Sequence, residues 1–559
     1  MKSTWKMMWH IFKKDVKLLW HFVLAVAGIH FLSAGLQFAI DHAGVSQALL
    51  NLSILLQIAT ISASALLIAM VVHQDAIPGV RQDWLVRPVR RRDLLLAKVL
   101  FVVLMVHGPV FAADLAQGLA NGFPFTQSFV AAGSRSVYLL LGLSVPVLAF
   151  ASLMRNMAEA VIGAVAAFLG FAMLQILINN RGQIGVLRGT GLFWIAESTM
   201  FLVALIGSTI VLLLQFFRRK TIPARWGMVA LALLFQLAYL VPWKVAFALE
   251  RRLSPNPGAG SSIGLSFQPD QSRFRLPEGM TRTTISGRPG VSREEASTIY
   301  LPVLVEGFPE SAVLNADHAE VILTSSDGRV LHRGDADNLL IRKESHLEPM
   351  HFIIGVRRSG FMRDIGPGDG YFDKDGRMTV YQGIPFPHYL YQAIKNQTLR
   401  LEIEYSFTFL QGTTYTMPAL GGNLSIPDIG RCRSQMDPEG DDIEVHCIQA
   451  GANQPCGSGF LENPSTGQQN PARFGCWPNY SPYFGQYTPD AMTRFTGPLR
   501  FRDLSGLAKY PVNQSQLPQA RAVLRFYQPR DHFTRRLVVP QIRLSDWESL
   551  EHDAAPVTR

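Results

Sequence analysis

The sequence predicts an α-helical polytopic membrane domain of about seven transmembrane helices, followed by a C-terminal mainly-β, sandwich-like extracytoplasmic domain. Three observations predict this. Of the 559 residues 48% are hydrophobic, and the long apolar runs end near Leu249. Residues 1–249 carry 20 Lys/Arg and 8 Asp/Glu, whereas residues 250–559 carry 32 and 34. All four cysteines lie in the polar half, which favours disulfides in an oxidising compartment.

The placement of the basic residues excludes nucleic-acid binding as a function class. Such proteins concentrate positive charge on a soluble fold. Here the positive charge flanks apolar runs, as membrane orientation and anionic lipid headgroups require. We therefore expect the lipid membrane, and no nucleic acid, among the partners.

Residues 1–21 predict an amphipathic interfacial helix. Trp5, Trp9 and Phe12 recur at helical spacing, and lysines occupy much of the remaining face. A signal peptide is disfavoured because no small-residue cleavage site follows cleanly.

Residues 22–249 form the predicted transmembrane domain. Each of its apolar runs is about long enough to cross a bilayer core of roughly 30 Å. The seven predicted spans are Phe22–Ile40, Leu49–Val72, Leu94–Ala113, Val137–Leu153, Ala158–Ile178, Phe193–Phe217 and Trp226–Ala248.

The distribution of charge predicts the orientation of these spans. With the N-terminus inside, the inner segments hold 16 Lys/Arg, and the outer connections 41–48, 114–136 and 179–192 hold 3. This asymmetry places the N-terminus in the cytoplasm. An odd number of crossings then places the C-terminal domain outside, as the cysteines independently indicate. We predict a multi-pass protein of the bacterial inner membrane with a periplasmic C-terminal domain.

The inner loop 73–98 carries the most specific motif of the chain. It contains D-W-L-x-R-P-x-R-R-R-x-L-L-L-A-K, which resembles the loop between the second and third membrane helices of ABC-2 type transporter permeases. The resemblance implies an amphipathic coupling helix that docks on an ATPase subunit. Its implied contact residues are Asp75, Arg81, Asp83, Trp84, Leu85, Arg87, Pro88 and Arg90.

The same resemblance implies the partners. It implies an ABC ATPase subunit and a second permease subunit, in a homo- or heterodimer. The chain contains no Gly-Lys dipeptide and hence no P-loop, so ATP and Mg are expected on the partner, with no cofactor or enzymatic activity here. Two features depart from the family. Its typical member has six crossings and no large C-terminal domain. Many members carry an acidic residue two or three positions before the tryptophan region, where this chain has a lone aspartate in Gln82–Asp83.

The connection 179–190 is interrupted by glycine and carries Arg181 and Arg188 on the side where positive charge is disfavoured. The family resemblance implies an exit loop that dips into the outer leaflet. A plain surface loop that touches the outer domain is an equal alternative.

Residues 250–290 read as a Ser-, Pro- and Gly-rich linker, and residues 291–559 as an extracytoplasmic β-rich domain of roughly immunoglobulin-like class. Turn signals such as Asp327-Gly328 separate the predicted strands. These strands are Thr298–Glu306, His318–Thr324, Met378–Gln382, Thr398–Phe409, Ile443–Ile448, Gln519–Tyr527 and Arg535–Leu544.

The cysteine spacing favours two disulfides over a zinc site, because no C-x-x-C pair occurs. Cys432 and Cys447 flank a turn-rich stretch and predict a bridged hairpin. Cys456 and Cys476 would then close a loop rich in Gly, Asn and Pro.

No catalytic or metal-ligating residue is predicted. H-E-x-x-H is absent from the sequence, and the single G-x-S-x-G, at 260–264, lacks the flanking strand and helix of a nucleophile elbow. An envelope enzyme is therefore disfavoured. Two hypotheses remain: a permease subunit of an ATP-driven exporter with unknown cargo, or a non-transporting membrane module that transmits ATPase-driven motion to a periplasmic or envelope partner.

Overall fold

The computed structural model divides the chain into a helical N-terminal part and a β-rich C-terminal part. It describes residues 2–43, 47–74, 90–179, 192–218, 220–237, 241–271, 273, 283–286, 294–307, 312–336, 339–341, 378–427, 429–437, 440, 442–451, 456–470, 473–475, 491–500 and 512–549.

Eight described helices form the N-terminal part. Two contain an internal π-helical turn, which divides each into segments. The helices are α1 (Lys2–Ala43), α2 (Gln47–His73), α3 (Arg91–Phe101, Val102–Val106 and His107–Ala120), α4 (Phe125–Leu139, Leu140–Ser144 and Val145–Leu153), α5 (Met157–Asn179), α6 (Phe193–Phe216), α7 (Thr221–Leu237) and α8 (Trp243–Arg252).

Five of these helices, α1 to α4 and α6, are long and apolar enough to cross a membrane, and α5 and α7 contain shorter apolar stretches. The predicted seventh span, Trp226–Ala248, is not one helix. Helix α7 ends at Leu237, and α8 begins only after Pro242. Proline fixes φ and lacks an N–H, so it suits the start of a helix and breaks its interior.

Helix α1 is continuous over 42 residues, with no boundary near residue 21. At 1.5 Å per residue it is about 63 Å long. Met8, Phe12 and Leu19 of its first half are buried in one core with residues of α2 and α3. The apolar face of residues 1–21 thus packs against the bundle.

The surface of the helical part is apolar. Large side chains such as Leu55, Ile162 and Phe168 are 64%, 68% and 70% exposed. In the described β-rich part only Val330, Tyr389 and Val538 belong to this class. An apolar surface this extensive needs a covering phase, and long apolar helices fit a lipid bilayer.

The contacts of the helix ends distinguish the two ends of the bundle. At one end, α1 and the α3–α4 turn contact the β-rich part through Asp41 and Asn121. At the other end, Arg91 of α3 donates a hydrogen bond to the Phe217 carbonyl oxygen (3.0 Å), and Arg225 of α7 donates to the Leu153 carbonyl oxygen (2.9 Å). The basic helix ends thus lie opposite the β-rich part.

Fifteen described strands and one short helix, α9 (His388–Ile394), make up the β-rich part. The strands are β1 (Gly264–Phe267), β2 (Thr283–Ser286), β3 (Glu294–Glu306), β4 (Ala312–Ser325), β5 (Val330–Asp335), β6 (Leu339–Ile341), β7 (Met378–Pro387), β8 (Leu399–Pro418), β9 (Asn423–Ile426), β10 (Gly430–Met436), β11 (Asp442–Ala450), β12 (Cys456–Glu462), β13 (Arg473–Gly475), β14 (Met492–Arg500) and β15 (Arg521–Ile542).

These strands form three antiparallel sheets. A six-stranded sheet has the order β13-β12-β15-β8-β4-β5. A five-stranded sheet has the order β1-β3-β7-β6, with β2 also paired to β3, and a four-stranded sheet has the order β14-β11-β10-β9. The 20-residue β8 and the 22-residue β15 pair along nearly their whole length.

The two long strands are shared by two hydrophobic cores. Tyr405 and Leu537 lie in the core that also contains residues of the five-stranded sheet, such as Val303. Met417 and Leu524, at the other ends of β8 and β15, lie in the core of the four-stranded sheet. The domain is therefore sandwich-like, but it consists of two sandwiches that share one sheet, unlike the seven- or nine-stranded immunoglobulin arrangement.

Strand β15 combines two strands that the sequence predicted separately. The predicted strands 519–527 and 535–544 form one strand with a register shift between Pro529 and Asp531. Proline cannot donate to the ladder, so a bulge is the place where a strand tolerates it. The predicted linker 250–290 is partly ordered, since Ile263 is 1% exposed and β1 pairs with β3.

The hairpin disulfide is confirmed. Cys432 and Cys447 are directly opposite each other in the β10–β11 pair and are bonded, closing a separation of 15 residues. The predicted bridge between Cys456 and Cys476 is untested, because Cys476 lies outside the described residues.

Replacing Cys432 and Cys447 together by serine should lower the free energy of unfolding of the outer domain by about 3 kcal/mol, because a bridge over a 15-residue loop restricts the unfolded chain by about that amount. Urea unfolding of the full-length protein in detergent, followed by near-UV circular dichroism, measures this. A variant with Cys432 and Cys447 replaced by alanine controls for the burial of the two serine hydroxyl groups. An unfolding midpoint of the first variant equal to that of the wild type would contradict the expectation.

Candidate functional site

The predicted coupling loop connects α2 to α3 at the basic end of the bundle. Its residues 75–89 lie outside the described part, and with them Asp75, Arg81, Asp83, Trp84, Leu85, Arg87 and Pro88. Arg90 is exposed and extended, and its carbonyl oxygen accepts hydrogen bonds from the backbone N–H groups of Asp93 and Leu94 at 2.9 and 3.2 Å. Arg90 therefore marks the entry into α3. The predicted exit-loop residues Arg181 and Arg188 are also outside the described part.

A buried ion pair holds the start of α3 against α1. Lys98 Nζ lies 2.8 Å from Asp15 Oδ2, and the two side chains are 2% and 0% exposed. In the sequence, Lys98 is only the last of the basic residues of loop 73–98. Burying two charges costs desolvation free energy, so such a pair contributes little net stability and instead fixes one arrangement of the two helices.

Polar side chains inside the bundle bond between neighbouring helices. His30 of α1 pairs with Ser64 of α2 at 3.1 Å, and Gln37 of α1 donates to Ser53 of α2. His107 of α3 pairs with Ser144 of α4 at 2.8 Å. Because hydrocarbon offers no water as an alternative partner, these bonds define how α1, α2, α3 and α4 face each other.

The His107–Ser144 bond lies where both helices are irregular. The π-helical turn Val102–Val106 ends directly before His107, and the turn Leu140–Ser144 ends at Ser144. Single π-helical turns inside α-helices are rare, and those that occur are frequently found at functional sites. The two turns place the irregular backbone of α3 and α4 at one level of the bundle.

A second ion pair, between Asp114 of α3 and Arg135 of α4, corrects the sequence analysis. Arg135 Nη1 lies 2.6 Å from both carboxylate oxygens of Asp114, and the side chains are 9% and 6% exposed. The segment 114–136 was predicted as an outer connection, but it is helical except for the turn 121–124. The two opposite charges neutralise each other, so both helices extend further than hydropathy alone indicates.

A small void lies beside this pair, lined among others by His30, Gln37, Gln57 and Asp114. Its volume is ≈ 20 Å³, room for roughly one water molecule. This void is polar, but it is too small for a cargo molecule.

Polar contacts join the helices to the outer domain at several points. Arg494 of β14 makes two bonds to the Asp41 carboxylate, at 2.5 and 2.8 Å. Arg431 of β10 donates to the Asn121 carbonyl oxygen at 3.3 Å and lies over the Phe123 ring. A cleft of ≈ 640 Å³ lies between the start of α4 and the β10 and β11 region.

The α3–α4 turn depends on a glycine for one of these contacts. Gly122 has φ of +75°, and a Cβ at this position would meet the Arg431 guanidinium. Glycine alone accommodates both the left-handed backbone and the approach of the arginine.

At the junction between α8 and the outer domain, three titratable side chains meet. Glu250 of α8, Asp317 of β4 and His532 of β15 are buried, and their ligand-type atoms lie within 4.8 Å of one another. Burial, and secondarily the Asp317 carboxylate, raises the pKa of Glu250 well above its usual value. Burial also raises the pKa of Asp317 and lowers the pKa of His532 to about 4. None of the three belongs to a motif that is recognisable in the sequence.

The serine of the G-x-S-x-G segment makes a structural hydrogen bond. It forms a turn directly before β1, where Ser262 Oγ donates to the Gly307 carbonyl oxygen at 3.1 Å. A nucleophile elbow requires a strand before the serine and a helix after it, an order that this segment lacks.

Replacing Asp114 by asparagine should destabilise the helical part by about 3–5 kcal/mol, because the Arg135 charge would remain buried without its partner. The folded fraction after heating in detergent, measured by size-exclusion chromatography, tests this. Adding Arg135→Gln should recover most of the loss. The exposed pair Arg225–Glu159 provides the control, since Glu159→Gln should cost less than about 1 kcal/mol. Equal effects of the two single substitutions would contradict the expectation.

Comparisons with known proteins complete these observations. No family model matches this sequence, and no curated protein or solved structure matches it. The proposals below therefore depend on the residues and geometry of this chain and on the resemblance of its 73–98 loop.

Proposed function

We propose that this chain is the transmembrane permease subunit of an ATP-driven ABC-2 type exporter. In this proposal the loop 73–98 couples it to a separate ATPase subunit, which carries ATP and Mg, and the chain pairs with a second permease subunit. The motif D-W-L-x-R-P-x-R-R-R supports the ATPase partner. The position of that loop in the fold is the observation on which the proposal depends.

The loop joins the bundle at the end remote from the outer domain. Helix α3 begins there with Arg91 and Arg92 and runs 30 residues to the turn that contacts β10. Positive charge is retained on the cytoplasmic side, and disulfides form on the oxidising side. The basic residues and the bridged Cys432–Cys447 hairpin lie at opposite ends of the helical bundle. An ATPase on the cytoplasmic side and a domain on the periplasmic side require this arrangement.

The start of α3 is connected to its neighbours in a way that suits mechanical coupling. Lys98 is paired with Asp15 of α1, and Arg91 bonds to the last turn of α6. A displacement of the loop by an ATPase subunit would therefore move α3 together with α1 and α6. Packed helices respond to such a displacement by shifting between discrete arrangements.

A second candidate function is a non-transporting membrane module. The contacts Asp41–Arg494 and Lys244–Glu320 favour it, because they connect α1 and α8 directly to the outer domain. The void beside the Asp114–Arg135 pair, at ≈ 20 Å³, is also too small to hold cargo. In this function ATP hydrolysis would move the outer domain against a periplasmic partner.

The loop is tested by replacing Trp84 and Arg87 together by alanine. We expect loss of ATP hydrolysis activity from the affinity-purified complex, because the apolar anchor and the charge-assisted contact of the docking helix are both removed. Membrane insertion and yield should be unchanged. Purification from native membranes through a tag on the chain, followed by an ATPase assay, measures this.

The matched control replaces one exposed tryptophan and one exposed arginine elsewhere, Trp226 and Arg251, by alanine. This control should retain the co-purified ATPase activity. Normal co-purification with the Trp84/Arg87 variant would remove the docking role of the loop. ATP-dependent movement of a labelled compound into proteoliposomes then supports the exporter, and loop-dependent ATP hydrolysis without such movement supports the module.

A further inference from the structure

The junction of α8 with the outer domain brings together groups that are far apart in sequence. Glu250 follows the last apolar segment, Asp317 lies in the middle of β4, and His532 lies in the middle of β15. They are 4%, 3% and 1% exposed. Buried ionisable side chains cost free energy unless they are paired or coordinate a metal ion, so their convergence requires an explanation.

Two β-bulges lie beside this cluster. The register between β4 and β8 shifts between Ala316 and His318, which leaves Asp317 as the extra residue. The register between β15 and β8 shifts between Pro529 and Asp531, directly before His532. Bulges redirect side chains and are common next to active sites. In this fold they lie on the two strands that flank Thr408 of β8.

Neighbouring side chains hold each carboxyl group in place. Asn315 donates to Asp317 Oδ1 at 2.7 Å, and Thr408 donates to Asp317 Oδ2 at 2.5 Å. Trp194 of α6 donates to Glu250 Oε1 at 3.3 Å. Such donors around a carboxylate are the usual support of metal ligands.

One oxygen of the cluster has no such partner. Glu250 Oε2 is buried and has no hydrogen bond within the described part of the chain. It lies 3.8 Å from His532 Nδ1, and therefore points into the space between the three side chains. A buried carboxylate oxygen without a donor requires an explanation, and a bound ion is one of those that native proteins use.

We propose that Glu250, Asp317 and His532 bind a divalent transition-metal ion of the zinc type, which joins α8 to the outer domain. Their ligand atoms lie within 4.8 Å of one another. Ligands at about 2.0–2.2 Å around a tetrahedral ion are roughly 3.3–3.6 Å apart, so the cluster needs to contract by no more than about 1.5 Å. Three protein ligands leave a fourth position for water.

The composition of the site favours this class of ion. Two carboxylates balance the charge of a divalent cation, and the imidazole disfavours Mg²⁺ and Ca²⁺, which prefer oxygen ligands alone. Thr408 Oγ1 also lies 2.9 Å from His532 Nδ1. With the metal bound, this nitrogen would coordinate the ion and Thr408 would donate to Asp317 alone.

This site is independent of the proposed ATPase coupling, because it lies at the opposite end of the bundle. A bound ion would link the element that leaves the membrane, α8, to β4 and β15 of the six-stranded sheet. It would therefore fix the outer domain on the helices through a bond that metal availability controls.

The experiment uses tag-free full-length protein in detergent, stripped with a chelator, loaded with Zn²⁺ and desalted. Elemental analysis should find about one zinc per chain in the wild type and at least a tenfold lower occupancy in Glu250→Gln, Asp317→Asn and His532→Gln. Co²⁺ loading should give the visible absorption of four-coordinate cobalt only in the wild type. Zn²⁺ should raise the melting temperature of the wild type and leave that of the three variants unchanged.

Glu444→Gln is the matched control, since Glu444 and His446 form a partly buried pair in β11, remote from the junction. This variant should bind zinc like the wild type. Glu250→Gln and Asp317→Asn keep the shape of the carboxylate side chains, and retention of the metal-free melting temperature shows that each variant folds. Wild-type protein that binds no zinc, or folded junction variants that bind as much as the wild type, would overturn the proposal and indicate that the carboxyl groups share protons only.

Discussion

A charge among apolar helices needs a partner, and this requirement determines how the helical part is assembled. Asp15 with Lys98 joins α1 to α3, and Asp114 with Arg135 joins α3 to α4. Removing the partner of one of these buried charges would lower the stability of the helical part by several kcal/mol. Alternative packings of the apolar side chains differ in free energy by much less. The two pairs therefore select one register of helices whose apolar faces would otherwise fit in many ways. The His107–Ser144 bond makes the same selection between α3 and α4 at the level of their π-helical turns.

The β-rich part is assembled on one rigid base, to which the helices are joined. Its base is the pair of long strands β8 and β15, whose opposite halves contribute to two separate cores. The junction with α8 lies near the middle of these strands, where Asp531 accepts hydrogen bonds from the Gly258 and Gly260 N–H groups at 2.9 and 3.1 Å. The chain segment that follows α8 is thereby held on the bulge of β15. Movement of α8 would reach both sandwiches through the sheet that they share.

Sequence patterns predicted those structural features that depend on residues close together in the chain. Apolar runs located the helices, alternation located strands such as 398–409, which overlaps the first half of β8, and the turn-rich stretch between Cys432 and Cys447 predicted their disulfide. The seventh span was wrong as one helix, because hydropathy averages over Pro242. Asp114 and Arg135 were missed because a single charge lowers the hydropathy of its own helix, and the partner that neutralises it is 21 residues away. Long-range pairing is not visible in the periodicity of either segment.

The junction shows most clearly which kind of site a single sequence conceals. Glu250, Asp317 and His532 belong to no short motif, and two of them depend on bulges that shift the strand register by one residue. A strand pattern read from sequence assumes strict alternation, and a bulge reverses the face of the residues that follow it. The proximity of the buried Glu250 to Asp317 therefore arises only in the assembled sheet. The motif proposed for ATPase coupling consists of contiguous residues and is visible in the sequence, whereas the connection to the outer domain is built from residues that only the fold brings together.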